Sequence, residues 1–187
     1  MIFLKKFKNS KNVRFDSFEK TFKYCLKRNL KTIVETGTAR GKTKFFFIKR
    51  FNWKDGMSTP MFAEYASSYG GVLHTCDISA ENIANAKKFT RKLSKFIKFY
   101  TQDSLVFLEQ FNEPIDVLYL DSLDGHNPIE ASNHQLKEAQ IAIKKLHNKS
   151  LILLDDKGSK TNLSLDFFLN NNFKIIYETN YQILLSK

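Results

Sequence analysis

Apolar residues along the chain alternate between the helical and the strand period. Phe15, Phe18, Phe22 and Cys25 recur at helical spacing, which predicts an amphipathic helix over residues 15–30. Short apolar runs such as "VLHTC" and "DVLYL" are instead typical of buried strands. By the same reasoning strands are predicted over 31–37, 72–77, 96–103, 115–121, 150–156, 173–179 and 181–187. Further helices are predicted over 41–53, 61–69, 79–93, 104–111, 132–146 and 163–171.

Capping signals support several of these boundaries. Thr59 is the expected N-cap of the third helix, with Pro60 at its first position and Gly70 and Gly71 after its end. Ser79 is the expected N-cap of the fourth helix.

Strands that alternate with helices predict a doubly wound, mostly parallel α/β sheet covered on both faces. The last two predicted strands are separated by too short a segment for a crossover, so they are expected to form an antiparallel hairpin. We expect one domain over residues 1–187, with residues 1–30 as a helical lead-in and residues 31–187 as the α/β core.

Composition limits the partners and the cellular location that can be expected for this protein. The net charge of +11 is compatible with a nucleic-acid partner, but 25 of the 30 basic residues are lysines spread along the chain, whereas arginine is the residue that grips phosphates and guanine edges. No apolar run approaches the roughly 20 residues needed to span a bilayer, and the start lacks a secretory signal. Cys25 and Cys76 are expected to be buried free thiols. A cytoplasmic protein without a membrane partner is predicted.

The stretch "TIVETGTARGKT" carries the first chemical signal. Gly37 and Gly41 follow the end of the first strand, where glycine lets the backbone approach a ligand and leaves helix N–H groups free for anions. Ligands of doubly wound sheets bind at this edge. A helix-entry turn without a ligand would need the same glycines, so the motif alone leaves both interpretations open.

Acids at the ends of the other strands favour a ligand site. The strands over 72–77, 96–103 and 115–121 end in Asp77, Asp103 and Asp121, and a further strand ends in the pair Asp155 and Asp156. Carboxylates gathered along one sheet edge repel one another, which costs stability unless the site uses them.

The segments "VETGTARG", "LHTCDIS", "YTQDS" and "LYLDS", in this order, resemble the class I S-adenosylmethionine-dependent methyltransferases, over about residues 30–187. The closest pattern is that of the catechol-type and macrocin-type small-molecule O-methyltransferases, although Ala39 stands where many members have a glycine. The resemblance implies a Rossmann-like, seven-stranded sheet with its last strand inserted antiparallel. It further implies that the methionine and ribose part of the cofactor lies along Glu35, Gly37, Thr38 and Gly41, its ribose on Asp77, and its adenine on Asp103 and Ser104.

The same resemblance implies a divalent metal site. In metal-dependent O-methyltransferases an ion is held by an acid after the fourth strand and a pair after the fifth, which corresponds to Asp121, Asp155 and Asp156. Oxygen ligands suit Mg²⁺, which would lower the pKa of an acceptor hydroxyl. Alternatively, these aspartates cap the next turn or form a polar rim. Asp121 and His134 are the candidate catalytic residues, and a capping or solvated histidine is the alternative for His134.

These observations predict methyl transfer from S-adenosylmethionine to an oxygen of a small-molecule acceptor. A nucleic-acid methyltransferase is the first alternative, although "DSLD" after the fourth strand lacks the Asn/Asp-Pro-Pro-aromatic signature of base N-methylation. A non-catalytic cofactor-binding module of the same fold is the second alternative, because fold does not fix chemistry.

Overall fold

A computed structural model describes residues 1–39, 42–45, 48–53, 57–123 and 127–187. Its strands are β1 (Thr32–Thr36), β2 (Lys42–Phe45), β3 (Ile48–Phe51), β4 (Val72–Asp77), β5 (Ile97–Thr101), β6 (Ile115–Leu120), β7 (Leu146–Asp155), β8 (Lys174–Glu178) and β9 (Gln182–Ser186). Its α-helices are α1 (Phe15–Arg28), α2 (Ser58–Tyr69), α3 (Ala80–Phe89), α4 (Ser104–Gln110), α5 (Pro128–Ala142) and α6 (Asn162–Asn170). Short 3₁₀ helices cover Ile2–Phe7, Arg91–Phe96 and Ile143–Lys145.

Seven strands form one sheet in the order β5-β4-β1-β6-β7-β9-β8. The first five strands in this order are parallel, and β9 pairs antiparallel with both β7 and β8. The predicted seven-stranded sheet with an antiparallel C-terminal hairpin is therefore confirmed. The chain winds from β1 towards β5 and then returns to β6 on the other side, so the winding reverses between β1 and β6.

Both faces of the sheet are covered, because its central strands carry apolar residues at successive positions. In β6, Val117 and Tyr119 face a core shared with α1 and α2, whereas Leu118 and Leu120 face a second core shared with α4, α5 and α6. This continuous apolar pattern is what a parallel sheet buried on both faces requires. None of the helices in the described ranges has the length and apolarity to cross a membrane.

Helix α1 brings the N-terminal segment onto the sheet. Phe18 and Phe22 are fully buried in the first core, as their helical spacing predicts. The helix ends because Asn29 adopts a left-handed conformation (φ 56°), and the N–H of Leu30 closes the turn on the Cys25 carbonyl at 3.0 Å. The N-cap position is held by Arg14, whose side chain does not cap the helix but reaches Asp155 at the sheet edge.

The predicted helix over 41–53 is wrong. The described residues of this segment include β2 and β3, which pair antiparallel with Lys42 opposite Phe51 and Phe45 opposite Ile48. The segment contains four phenylalanines, one isoleucine and one threonine, which favour strands, and the lysines at 42 and 44 alternate with less polar residues at a period of two.

Three helix boundaries also differ from the predictions. Helix α2 begins at Ser58 after Met57, so Thr59 is not its N-cap. Helix α3 has the predicted Ser79 cap but changes to a 3₁₀ helix after Phe89. Helix α5 begins at Pro128 rather than at 132, because the Asn127 side chain caps it and proline suits the first turn.

Candidate functional site

Gly37 is the point at which the chain leaves β1 and crosses the end of β6. Its φ of 83° favours glycine, and a Cβ at this position would lie 2.1 Å from the Asp121 carbonyl oxygen. Its own N–H donates to the Cys76 carbonyl at 2.8 Å. The glycine therefore lets the loop after β1 run between the ends of β4 and β6. The predicted partner Gly41 lies outside the described residues.

Glu35 supports the loop after β1 through buried hydrogen bonds. Its side chain is fully buried, and its Oε2 accepts hydrogen bonds from the hydroxyls of Thr59 (2.8 Å) and Thr75 (2.6 Å). The Thr59 hydroxyl in turn accepts the Ala39 N–H at 2.8 Å. Since the Thr75 proton is directed to Glu35, the Thr38 hydroxyl is the donor in its 2.8 Å contact with Thr75. Burial raises the pKa of Glu35 to about 7, although the hydroxyl donors oppose this rise.

Asp77, at the end of β4, is the acceptor for several donors of its own chain. Its Oδ2 accepts the Thr38 N–H at 3.1 Å, and its Oδ1 accepts the Ser79 N–H at 2.8 Å. The Asn82 amide lies 3.2 Å from Oδ1 and 3.1 Å from Oδ2, so it spans both oxygens. A carboxylate has about four lone-pair sites, and these contacts use that capacity.

The end of β5 continues the same crevice. Asp103 caps α4, since its Oδ1 accepts the Leu105 N–H at 2.8 Å. Next to it, the Ser104 hydroxyl lies 2.8 Å from Nε2 of His134 on α5. The fully buried Glu138 lies 3.7 Å from the same nitrogen and raises the pKa of His134.

These strand ends line one pocket of about 90 Å³. Its lining combines polar groups with the apolar side chains of Ile78 and Leu123, and these two are 75% and 36% exposed. The other lining residues are Gly37, Cys76, Asp77, Asp103, Ser104, Ser122 and His134.

Beyond β6, three carboxylates meet two cations of the chain. Arg14 donates from Nε to both oxygens of Asp155 (2.7 and 2.9 Å) and from Nη2 to Asp156 (2.7 Å). Lys160 donates from Nζ to Asp121 at 2.7 Å and lies 3.2 Å from Asp156. Burial by itself would lower the pKa of Lys160, but attraction to Asp121 and Asp156 outweighs it and raises that pKa.

Hydrogen bonds tie Asp121 to the interior of the sheet. The Tyr119 hydroxyl donates to Asp121 Oδ2 at 3.1 Å and accepts from the Gln182 amide at 3.3 Å. Gln182 also contacts the Ser17 hydroxyl on α1. Burial raises the pKa of Asp121, and the charge of Asp155 adds to this rise.

Comparison with known proteins assigns this arrangement to a family. The profile of the family described as "Methyltransferase domain" matches residues 34–157, which is more than half of the chain. The chain belongs to this family. The class I S-adenosylmethionine-dependent methyltransferase resemblance of the sequence is thus confirmed, and S-adenosylmethionine is the methyl donor of that class. None of the curated proteins matches the chain.

Solved methyltransferase structures share the fold. An rRNA methylase from Streptococcus thermophilus is 12% identical, with a TM-score of 0.61 over 90% of this chain and 94% of that one. SAH-bound PaMTH1 from Podospora anserina is 12% identical, with a TM-score of 0.63 over 97% of this chain and 80% of that one. The StiE O-MT is 15% identical, with a TM-score of 0.52 over 79% of this chain and 47% of that one. At these identities the likeness concerns the fold alone.

The methyltransferase fold brings together most of the residues predicted from the sequence. Of the predicted cofactor residues, Gly37, Asp77, Asp103 and Ser104 line the pocket, whereas Glu35 and Thr38 lie behind the first loop. Asp121 directly follows β6, the strand next to β1 in the sheet. The second predicted catalytic residue, His134, lies against Ser104 after β5. Strands β5 and β6 are separated by three strand spacings, or about 14 Å, and the hydrogen bond of His134 is on the β5 side, with Ser104.

The predicted metal ligands also converge, but they contact cations of the chain. One oxygen each of Asp121, Asp155 and Asp156 lie within 4.8 Å of one another. Between them, Arg14 and Lys160 contact all three carboxylates, so cations of the chain already lie beside the oxygens that a divalent ion would need.

Sequence reasoning missed the residues that support these acids. Lys160 follows Asp156 by four residues in "DDKGSK", a spacing that could have signalled a turn closed by an ion pair. Asn82 lies in the first turn after the Asp77 loop, where a side-chain amide can reach back to a preceding carboxylate. Arg14 had no signal, because 141 residues separate it from Asp155.

Proposed function

We propose that this methyltransferase transfers the methyl group of S-adenosylmethionine to an oxygen of a small-molecule acceptor. The observation that carries the proposal is the pocket that Ser104, Asp77 and Gly37 line together at the ends of three strands. Ser122, the residue after Asp121, lines the same pocket. Its lining offers both hydrogen-bonding groups and apolar surfaces, which are what a nucleoside bearing an amino-acid tail requires.

The cofactor would be held by groups of three strand ends. Ile78 and Leu123 offer apolar faces to an adenine ring, and Ser104, oriented by His134, offers a hydroxyl beside it. Asp77 is a pure acceptor and therefore suits a ribose diol. Glu35 has a supporting role, since it fixes the threonines that hold the loop after β1.

Binding requires a local rearrangement at Asp77. The Asn82 amide already spans both carboxylate oxygens, and the pocket of about 90 Å³ is smaller than the roughly 300–1,000 Å³ of typical ligand sites. We expect the Asn82 amide to leave the carboxylate when the ribose hydroxyls take its place.

Asp121 is the residue proposed to manage the acceptor's proton. S-adenosylmethionine supplies an activated methyl group, so the chain has to hold the acceptor in line and accept its hydroxyl proton. The raised pKa of Asp121 suits a general base, and its contacts with Lys160 and Tyr119 fix its orientation. As the new C–O bond forms and the S–C bond breaks, the hydroxyl proton passes to the carboxylate and S-adenosylhomocysteine leaves neutral at sulfur.

Isothermal titration with S-adenosylmethionine and S-adenosylhomocysteine tests the cofactor site. We expect binding in the range of roughly 1 μM to 1 mM that is usual for enzyme substrates. Asp77→Asn should weaken it by at least about 10-fold, as expected when a buried polar pairing is lost. Asp166→Asn, on the exposed face of α6, is the control.

Asn82→Ala separates a ligand role of Asp77 from a capping role. If Asp77 binds the ribose, removal of the competing amide leaves affinity unchanged or tightens it. If Asp77 only fixes the start of α3, Asn82→Ala and Asp77→Asn weaken binding alike, and the ribose assignment is wrong.

Turnover with a panel of phenols and sugar alcohols, followed by mass spectrometry, tests the acceptor class. Asp121→Asn should lower kcat by roughly 10²- to 10⁴-fold, the usual contribution of a general base, while leaving cofactor affinity unchanged. Cofactor binding without transfer to any acceptor would instead favour the non-catalytic module.

RNA is the second candidate acceptor, and one surface feature favours it. Six basic side chains between residues 87 and 98 are all exposed, and no acidic residue lies between them: Lys87, Lys88, Arg91, Lys92, Lys95 and Lys98. Binding through them would fall steeply between roughly 50 and 200 mM salt because counterions are released. Methyl transfer to RNA that is lost in Lys88→Glu/Lys92→Glu, with cofactor affinity unchanged, would establish RNA as the acceptor and exclude the small-molecule proposal.

A further inference from the structure

Lys160 lies between two of the carboxylates that a divalent ion would need. Its Nζ is 2.7 Å from Asp121 Oδ1 and 3.2 Å from Asp156 Oδ2, and it also donates to the Leu123 carbonyl at 3.1 Å. The side chain is only 2% exposed. The ammonium therefore donates two hydrogen bonds, to Asp121 and Leu123, and forms an ion pair with Asp156.

A tight turn of the backbone after β7 places Lys160 beside these carboxylates. Asp156 and Gly158 adopt left-handed conformations, with φ of 57° and 83°. The N–H groups of Ser159 and Lys160 both donate to the Asp156 carbonyl, at 3.1 and 3.3 Å. This tight turn carries the chain from the end of β7 back over the carboxylates.

The third carboxylate is held by a second cation. Asp155 is 1% exposed and receives both of its short contacts from Arg14 Nε. Arg14 also reaches Asp156, so the two cations and three carboxylates alternate in one connected cluster. Its formal charge is −1, whereas the three carboxylates alone would carry −3.

Mg²⁺ requires oxygens at about 2.0–2.1 Å in near-octahedral geometry. A dication between Asp121 and Asp156 would occupy the position of the Lys160 ammonium. That side chain is only 2% exposed, so its withdrawal from this position would break its contacts with three oxygen atoms.

We propose that the Lys160 ammonium takes the place of a divalent ion in this methyltransferase, with Arg14 neutralising the remaining carboxylate. Lys160 is a positioning residue, because it touches Asp121 and is shielded from the crevice. The cation assignment stands on the contacts of the cluster alone. The orientation of Asp121 towards an acceptor rests, in addition, on the proposed function.

Titration of the full chain with MnCl₂ and MgCl₂, without cofactor or acceptor, tests the cation assignment. We expect the wild type to show no binding tighter than about 1 mM, the weak limit of protein carboxylate sites. Lys160→Met keeps the length of the side chain but removes its charge, and it should create a site that binds Mn²⁺ at least about 10-fold more tightly. Adding Asp121→Asn to Lys160→Met should abolish the gain.

Lys157→Met is the matched control. Lys157 lies three residues earlier in the same turn and pairs with the exposed Glu178 at 2.8 Å, so it should not gain metal binding. Circular dichroism verifies that each variant folds, and Lys160→Gln serves if the methionine variant does not.

Two results would overturn the assignment. One is wild-type binding of Mn²⁺ or Mg²⁺ tighter than about 1 mM that is lost in Asp121→Asn. The other is a folded Lys160 variant that binds metal no better than Lys157→Met. Because neither measurement involves methyl transfer, failure here is distinguishable from failure of the proposed function.

Once an acceptor that is methylated has been found, steady-state kinetics test whether Lys160 orients Asp121. Lys160→Met should lower kcat and shift the acid limb of the pH–rate profile, with the KM for S-adenosylmethionine unchanged. A general loss of stability without that pH shift would show that Lys160 does not position Asp121.

Discussion

At the scale of single residues, Glu35 shows that an acid in the first-loop motif can support the candidate site without lining it. Its pattern in the sequence is that of an acid facing a ligand, whereas in the structure it anchors the first loop through Thr59 and Thr75. Among the described residues its Oε1 has no hydrogen-bond partner. A protonated oxygen at this position avoids burying a full negative charge, which is why its pKa rises.

Stability should therefore depend on pH through Glu35. Its pKa rises from 4.5 in the unfolded chain to about 7 in the folded protein, so its stabilising effect is complete below pH 4.5 and is lost as the pH rises to about 7. The difference corresponds to about 3 kcal/mol as an upper limit. Glu35→Gln resembles the protonated acid, and we expect the difference in unfolding free energy between variant and wild type to grow from pH 5 to pH 7.

Urea denaturation at several pH values measures this difference. Glu81→Gln, at an exposed position of α3, is the control and should give a flat difference. A flat profile for Glu35→Gln as well would mean that Glu35 is ionised in the folded protein throughout this range.

At the scale of elements, two kinds of contact attach α1 to the sheet near the candidate site. Phe18 and Phe22 bury its apolar stripe, and the Arg14 guanidinium at its N-terminus contacts Asp155 and Asp156. The apolar contacts were predictable from the spacing of the phenylalanines. The ion pairs were not, because local patterns carry no information on which distant carboxylate a basic residue meets.

Arg14→Met should destabilise the protein by about 3–5 kcal/mol, because it leaves the buried Asp155 carboxylate without its cation. Chemical denaturation measures the loss. Lys27→Met, at an exposed position of the same helix, should change the free energy of unfolding by less than about 0.5 kcal/mol. Equal effects of the two substitutions would show that α1 is held by its phenylalanines alone.

At the scale of the whole molecule, the strand order and the gathering of acids at one edge followed from pattern and resemblance. Successive apolar positions identified the buried strands, and right-handed winding then brings their carboxyl ends together. The β2–β3 hairpin was missed because its run of phenylalanines is compatible with a buried helix as well as with a strand. The protein cations beside the acids were missed because they depend on tertiary contacts.

The excess of positive charge is also a property of the whole chain. The net charge is +11, and many of the lysines in the described ranges are exposed, so self-repulsion opposes the compact state. At 0.1 M, salt largely screens the interaction of exposed charges that lie more than about 10 Å apart, whereas the buried Arg14 and Lys160 pairs are screened much less. Added salt should therefore weaken the repulsion between exposed lysines more than it weakens the buried ion pairs of Arg14 and Lys160.

We consequently expect the melting temperature to rise by a few degrees between roughly 0.05 and 0.5 M KCl. Lys88→Gln/Lys92→Gln removes two exposed charges from the basic segment and should reduce this rise, because less repulsion remains to be screened. Differential scanning calorimetry of both proteins at each salt concentration makes the comparison. A melting temperature that falls with salt would mean that exposed ion pairs such as Lys157–Glu178 outweigh the net repulsion.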